Sequence, residues 1–120
     1  MAVYLARSCG AEMVLLGVVE PPNVQAAGEG LPVKDPRLRR RELEAQFENT
    51  LRVGDTLGIK MSLQIRNGDP ADEICRAAHE VAADLIILGQ KKRTWADKLF
   101  NGSVSERVLR KSGHTVLVTT

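Results

Sequence analysis

Hydrophobic positions fall into two arrangements along the chain: short, nearly continuous runs rich in Val, Ile and Leu, and longer stretches with apolar residues three and four apart. Their alternation predicts βα units around an open, mostly parallel sheet flanked by helices. Met13–Val19, Met61–Arg66, Leu85–Leu88 and Thr115–Val118 read as strands. The first and third are almost uninterrupted, as suits strands covered by helices on both faces. The other two alternate more and suit edge positions.

Between the runs, Pro36–Leu57 carries Leu43, Phe47 and Leu51 at four-residue spacing, which predicts a helix with a buried stripe, ended by Gly58. Gly68-Asp69-Pro70 reads as a helix start: Asp69 as N-cap, Pro70 at the first helical position, and Asp72 and Glu73 at the positive end of the dipole. Ile74, Ala77, Ala78 and Val81 form its apolar face. The last helix is expected to begin at Gly102, with Ser103 and Glu106 as a capping box and Val104, Val108 and Leu109 facing inward. Lys111 and Gly113 mark its end. Pro21–Asp35, with three prolines and two glycines, predicts a long mobile connection lying over the site.

A length of 120 residues suits one domain, residues 1–120. Seventeen basic against fifteen acidic residues leave a net charge of +2, too even for a nucleic-acid footprint. The local clusters Arg37, Arg39, Arg40, Arg41 and Lys91, Lys92, Arg93 read as solvated surface. Cys9 and Cys75 lack the spacing of a zinc or redox pair and read as reduced. No apolar run approaches the roughly 20 residues that span a bilayer, and the start shows no leader pattern, so direct membrane insertion is not expected and a cytoplasmic location is.

In open α/β sheets, ligands bind beyond the carboxyl ends of the strands, which here points to the loops after Val19, Arg66 and Leu88. The third runs from Gly89 to Gly102-Ser103 and leads into a helix start. Free N–H groups and the dipole there suit an anion, and glycine lets a phosphate approach the backbone. The same Gly102-Ser103 pair also serves as a plain helix cap. Trp95 and Leu99, four apart, read as a short packed helix rather than a stacking platform. No nucleophile is paired with a base, and His79 and His114 stand outside any triad context, so an enzyme is not expected.

Residues 83–110, from Ala83-Asp-Leu-Ile-Ile-Leu-Gly89 to Asn101-Gly102-Ser103-Val-Ser-Glu-Arg-Val-Leu-Arg110, resemble the universal stress protein family. So do Gly68-Asp69-Pro70-Ala-Asp-Glu-Ile, the closing His114-Thr-Val-Leu-Val118, and residues 6–20. The resemblance implies an adenine nucleotide alpha hydrolase-like fold of the universal stress protein type. The family's nucleotide-binding loop follows G-x2-G-x9-G-[S/T]; Gly89 and Gly102-Ser103 match the outer positions, and Lys92 replaces the middle glycine. By this resemblance Gly89, Gly102, Ser103 and Val104 line the phosphates and ribose, Leu88 lies near the sugar, Val18 touches the adenine, and Lys92 stands at the middle contact. The family's opening strand and its aspartate have no counterpart in the chain, so four strands are expected.

These readings imply a regulatory domain binding ATP or AMP, with Mg2+, and at most slow hydrolysis. The alternative is an interaction domain without nucleotide, attached to or cut from a membrane transporter. A homodimer is expected through the edge strand Thr115, Val116, Leu117, Val118 and Thr119. Lacking the opening strand, Met13–Val19 is expected to pair directly with Leu85–Leu88, or else to borrow a strand from a partner chain.

Overall fold

The computed structural model describes residues 2–21, 35–89 and 97–119. Helices and strands alternate throughout: α1 (Ala2–Cys9), β1 (Met13–Val19), α2 (Pro36–Thr56), β2 (Met61–Asn67), α3 (Pro70–Glu80), β3 (Leu85–Gly89), α4 (Asp97–Lys111) and β4 (Thr115–Thr119). The class is α/β, with four parallel strands as expected. They form two two-stranded sheets, β1–β2 and β3–β4. Direct pairing of Met13–Val19 with Leu85–Leu88 is therefore not formed. β1 pairs instead with β2, and β3 with β4, each pair joined through one crossover helix, the connection a parallel pair requires. The loop expected over Pro21–Asp35 lies almost wholly outside the described residues, as do Trp95 and the cluster Lys91, Lys92, Arg93.

Internal contacts divide the chain into two units, Met1–Asp69 and Pro70–Thr120. In the first, β1 and β2 run in register from Met13 beside Met61 to Val19 beside Asn67. Asp35 caps α2, its carboxylate accepting the Arg37 N–H at 2.9 Å, and Pro36 takes the first helical position. The helix closes on Gly58 at φ +71°, with the Gly58 N–H donating to the Asp55 carbonyl and the Ile59 N–H to the Gly54 carbonyl. Two glycines let this helix sit close on its strands. A Cβ at Gly17 would stand 3.2 Å from both Leu43 and Phe47, the residues of the predicted stripe. One at Gly54 would collide with the Met61 thioether.

In the second unit, α3 and α4 pack together beside the β3–β4 ladder. Ala71, Ala78, Ile86 and Val108 are its buried centre, with Ile74, Cys75, Ala83, Leu88, Val104 and Val116 packed around them. Two residues expected inward are not: Leu109 is 54% exposed and Val81, past the end of α3, is 41% exposed. Asp72, on α3, draws Lys111 at 3.3 Å and Arg107 at 3.6 Å from α4, which takes up the exposed side of the same helix pair.

α3 ends as α1 and α2 do, on a residue in the left-handed region: Ala82, at φ +50°. The Ala83 N–H reaches back to the Ala78 carbonyl at 2.9 Å, and Ala82's to His79 at 3.2 Å. Gly10 and Gly58 hold the same place without a Cβ penalty, whereas an L side chain there costs about 1–2 kcal/mol. Ala82→Gly is accordingly expected to raise stability by about 1 kcal/mol in urea unfolding, the strain relieved less the entropy glycine adds to the unfolded chain. A loss of stability would show that the turn relaxes without glycine. At the other contact, Gly54→Ala is expected to cost up to about 2 kcal/mol, overpacking against Met61 outweighing the better helix propensity of alanine. In a Met61→Ala background the same change should become stabilising by about 1 kcal/mol. Equal effects in both backgrounds would mean that the thioether does not fill the notch.

Candidate functional site

Both ladders are parallel, so the carboxyl ends of the paired strands lie together within each unit, and Val18, Leu88 and Gly89 stand at those ends. Val18 stands one residue before the end of β1, beside Arg66. Leu88 and Gly89 close β3, beside Val118 and Thr119. Leu88 packs on the core, which holds the strand end in place, while Gly89 is exposed. A Cβ built on Gly89 meets nothing within 4 Å among the described residues, so the backbone at this strand end stands open to an approaching group.

Gly102 and Ser103 are placed differently from the expectation. α4 begins at Asp97, not at Gly102, so both lie in its second turn and Ser103 is not an N-cap. In an α-helix from Asp97, the N–H groups of Gly102 and Ser103 fall in line with the carbonyls of Lys98 and Leu99. The free donors of such a helix belong to its first turn, five residues earlier than the capping-box motif suggested. Val104 packs against the core, in keeping with its inward expectation. Lys92 lies outside the described residues.

A second feature lies in the first unit, at the loops after Val19 and Arg66 to which the sequence also pointed. A cavity of about 360 Å³ opens where β1 and β2 end, lined by Val19, Glu20, Pro21, Pro36, Asn67 and Gly68. The Gly68 N–H donates to the Val19 carbonyl at 3.0 Å, extending the ladder to the cavity floor, and Gly68 itself holds φ +147°, a region open to glycine. Pro36 brings the start of α2 to the rim. The signal for Asn67 was its place: the last residue of a parallel strand, at the end where α/β folds bind ligands.

The remaining chemistry-bearing side chains have structural occupations. Burial pushes the Cys75 thiol up, as does the Asp72 carboxylate, with Lys111 and Arg107 pulling the other way; the thiol stays protonated to higher pH than an ordinary one. Cys75 packs against the core and Cys9 is exposed, and both are free. The His114 ring nitrogen Nδ1 lies 2.6 Å from the Ser112 carbonyl, within its own turn, and His79 is exposed in the last turn of α3. Glu73 is nearly buried in the first turn of α3 and accepts from Arg76 at 2.7 Å. Among the described residues, no group of three or more His, Cys, Asp or Glu is placed to hold a metal ion. Among them too, no helix is long and apolar enough to cross a membrane.

Comparison with known proteins bears on all of this. The universal stress protein MJ0531 of Methanocaldococcus jannaschii is 30% identical over 118 residues, 98% of this chain and 69% of that protein. A universal stress protein solved in complex with cAMP superposes with a TM-score of 0.67 at 22% identity, covering 98% of this chain and 80% of the other. The Archaeoglobus fulgidus universal stress protein in complex with dAMP gives 0.67 at 20% identity, covering 99% and 82%. At those identities the two structures speak for the fold. The profile of the Universal stress protein family matches residues 1–120, and the chain belongs to that family.

Proposed function

We propose that this chain is a regulatory module that binds an adenine nucleotide, ATP or AMP, rather than an enzyme. The observation that carries the reading is Gly89: the last residue of a parallel strand, exposed, with nothing among the described residues where a side chain would stand. Relatives of the same fold solved with cAMP and dAMP supply the ligand class. In this reading Gly89 admits a phosphate to the backbone, Leu88 and Val104 form the apolar support beside it, and Val18 meets the base. Gly102 and Ser103 contribute N–H groups only as the turns from Asp97 open, because the helix otherwise uses them. Lys92 is assigned the space of the family's middle glycine. Mg2+ arrives with the triphosphate as its counter-ion. Among the described residues, His114 is occupied in its own turn and His79 is exposed at a helix end, in keeping with a regulatory role.

Thermal unfolding with and without Mg–ATP or AMP tests this. A ligand at 100 times its Kd stabilises by about 2.7 kcal/mol, several degrees for a domain of this size. Gly89→Val should abolish that shift while leaving ligand-free stability within about 0.5 kcal/mol, since the new side chain enters open space at an exposed position. No shift at millimolar nucleotide would favour an interaction domain, attached to a larger protein such as a transporter.

We further propose that β4 mediates a homodimer. It pairs only with β3 among the described residues, and Leu117 and Val118 are 37% and 38% exposed, with no charge or proline along Thr115–Thr119 to guard the edge. Light scattering should report a dimer, and Leu117→Lys a monomer that keeps its helix content. A wild-type monomer at high concentration would overturn this assignment.

A further inference from the structure

We propose that the first turns of α4, residues 97–101, are an autoinhibitory element: while helical they use up the backbone donors that a phosphate at Gly89 needs, and nucleotide binds by unwinding them. The inference rests on the nucleotide reading for its ligand, and on the second unit alone for its geometry. Leu88 and Val104 pack against one core, around Ala71, Ala78, Ile86 and Val108. Leu88 adjoins Gly89 and Val104 adjoins Ser103, so the strand end and the backbone at Gly102-Ser103 are both held by the same cluster. With α4 starting at Asp97, the N–H groups of Gly102 and Ser103 are directed at the carbonyls of Lys98 and Leu99. The free donors lie five residues earlier, about 7.5 Å along the helix axis from that anchor.

The residues at the junction make the longer helix easy to tip. Asn101, Gly102 and Ser103 follow one another; glycine is the poorest helix former after proline, and Asn and Ser rank below Ala, Leu and Lys. Glu106 stands three residues after Ser103, so a second start, with Ser103 as N-cap, is written into the chain. Val104 and Val108 hold the helix to the core from either start, and the two states differ only before Val104. In the closed state the donors at 102 and 103 complete a helix. In the open state they face a charge, which accepts more strongly than a carbonyl. Phosphate therefore stabilises the open state alone, the differential affinity that a shift of population requires. Apparent affinity is lowered by the fraction of chains that are closed.

The test is a titration of the 13C,15N-labelled chain with AMP and with adenosine, followed at the Cα shifts of residues 97–101, together with the AMP affinities of two variants at Asn101, a residue outside the contacts assigned to the nucleotide. AMP is expected to move those shifts from helical to coil values; adenosine, which has no phosphate, is expected to leave them helical. Asn101→Ala favours the longer helix and should weaken AMP binding about twofold to threefold. Asn101→Pro removes the N–H that faces the Asp97 carbonyl and clashes with that carbonyl, so it should tighten binding at least about twofold by abolishing the closed state. AMP that binds while residues 97–101 stay helical would overturn the element and leave the nucleotide reading standing. Binding by Asn101→Pro alone would support it, the closed state then blocking the unmodified chain altogether. Equal affinity in all three chains would overturn it, and no binding by any of them would overturn it together with the nucleotide reading.

Discussion

Every strand in this chain is held by a parallel neighbour, and a parallel pair cannot be closed by a tight turn. The chain must leave one end of the first strand, travel the full length of the ladder and re-enter at the other end, which takes a helix. α2 makes that journey between β1 and β2, and α4 makes it between β3 and β4. One consequence is cover: each crossover helix lies on its ladder, close enough in the first unit that Gly17 and Gly54 stand at the contact. The other is polarity. The carboxyl ends of paired strands coincide, and the crossover helix returns its far end away from them. Both the Gly89 opening and the Asn67 cavity arise at such ends.

The apolar character of two strands exceeds the pairing they have. β1 and β3 are the most apolar strands, yet each has a ladder on one side only among the described residues. Parallel sheets ordinarily have more strands than two, with buried interiors. Val14 at 39% exposure and Leu85 at 36% record the difference between what these strands are built for and the cover they have.

How much was legible in the residues follows from which signals were redundant. β1 matches its expected span in full because six apolar residues interrupted only by Gly17, followed by Glu-Pro-Pro, leave no competing period. α2 was equally clear, with Asp35-Pro36 at one end and Gly58 at the other. Leu109 misled because it adjoins Val108, and on a helix neighbours point 100° apart; burial went to Val108 and left Leu109 out. Val81 misled because the turn at Ala82 begins before its helical face can be used. The Ser103 capping box was a true local preference without exclusive rights: a helix can start at any earlier residue whose turn is favourable, and Asp97 is such a residue. The cavity beside Asn67 draws its walls from three separate stretches of chain, of which the sequence marked the two strand ends and not the approach of Pro36.

That distinction separates the two parts of the candidate site physically. The Gly89 opening was foreseeable because glycine at a strand end has one evident use, and its lack of a Cβ acts through the backbone alone. The helix that follows is a competition between two uses of the same N–H groups. In an intact α4 they satisfy carbonyls one turn back; toward a phosphate they would satisfy a charge, a stronger bond that must also repay the turns it undoes. Further along the helix, Val104 and Val108 belong to the core. The core thus anchors the helix at Val104 and Val108, just past the residues whose N–H groups the proposed phosphate would claim.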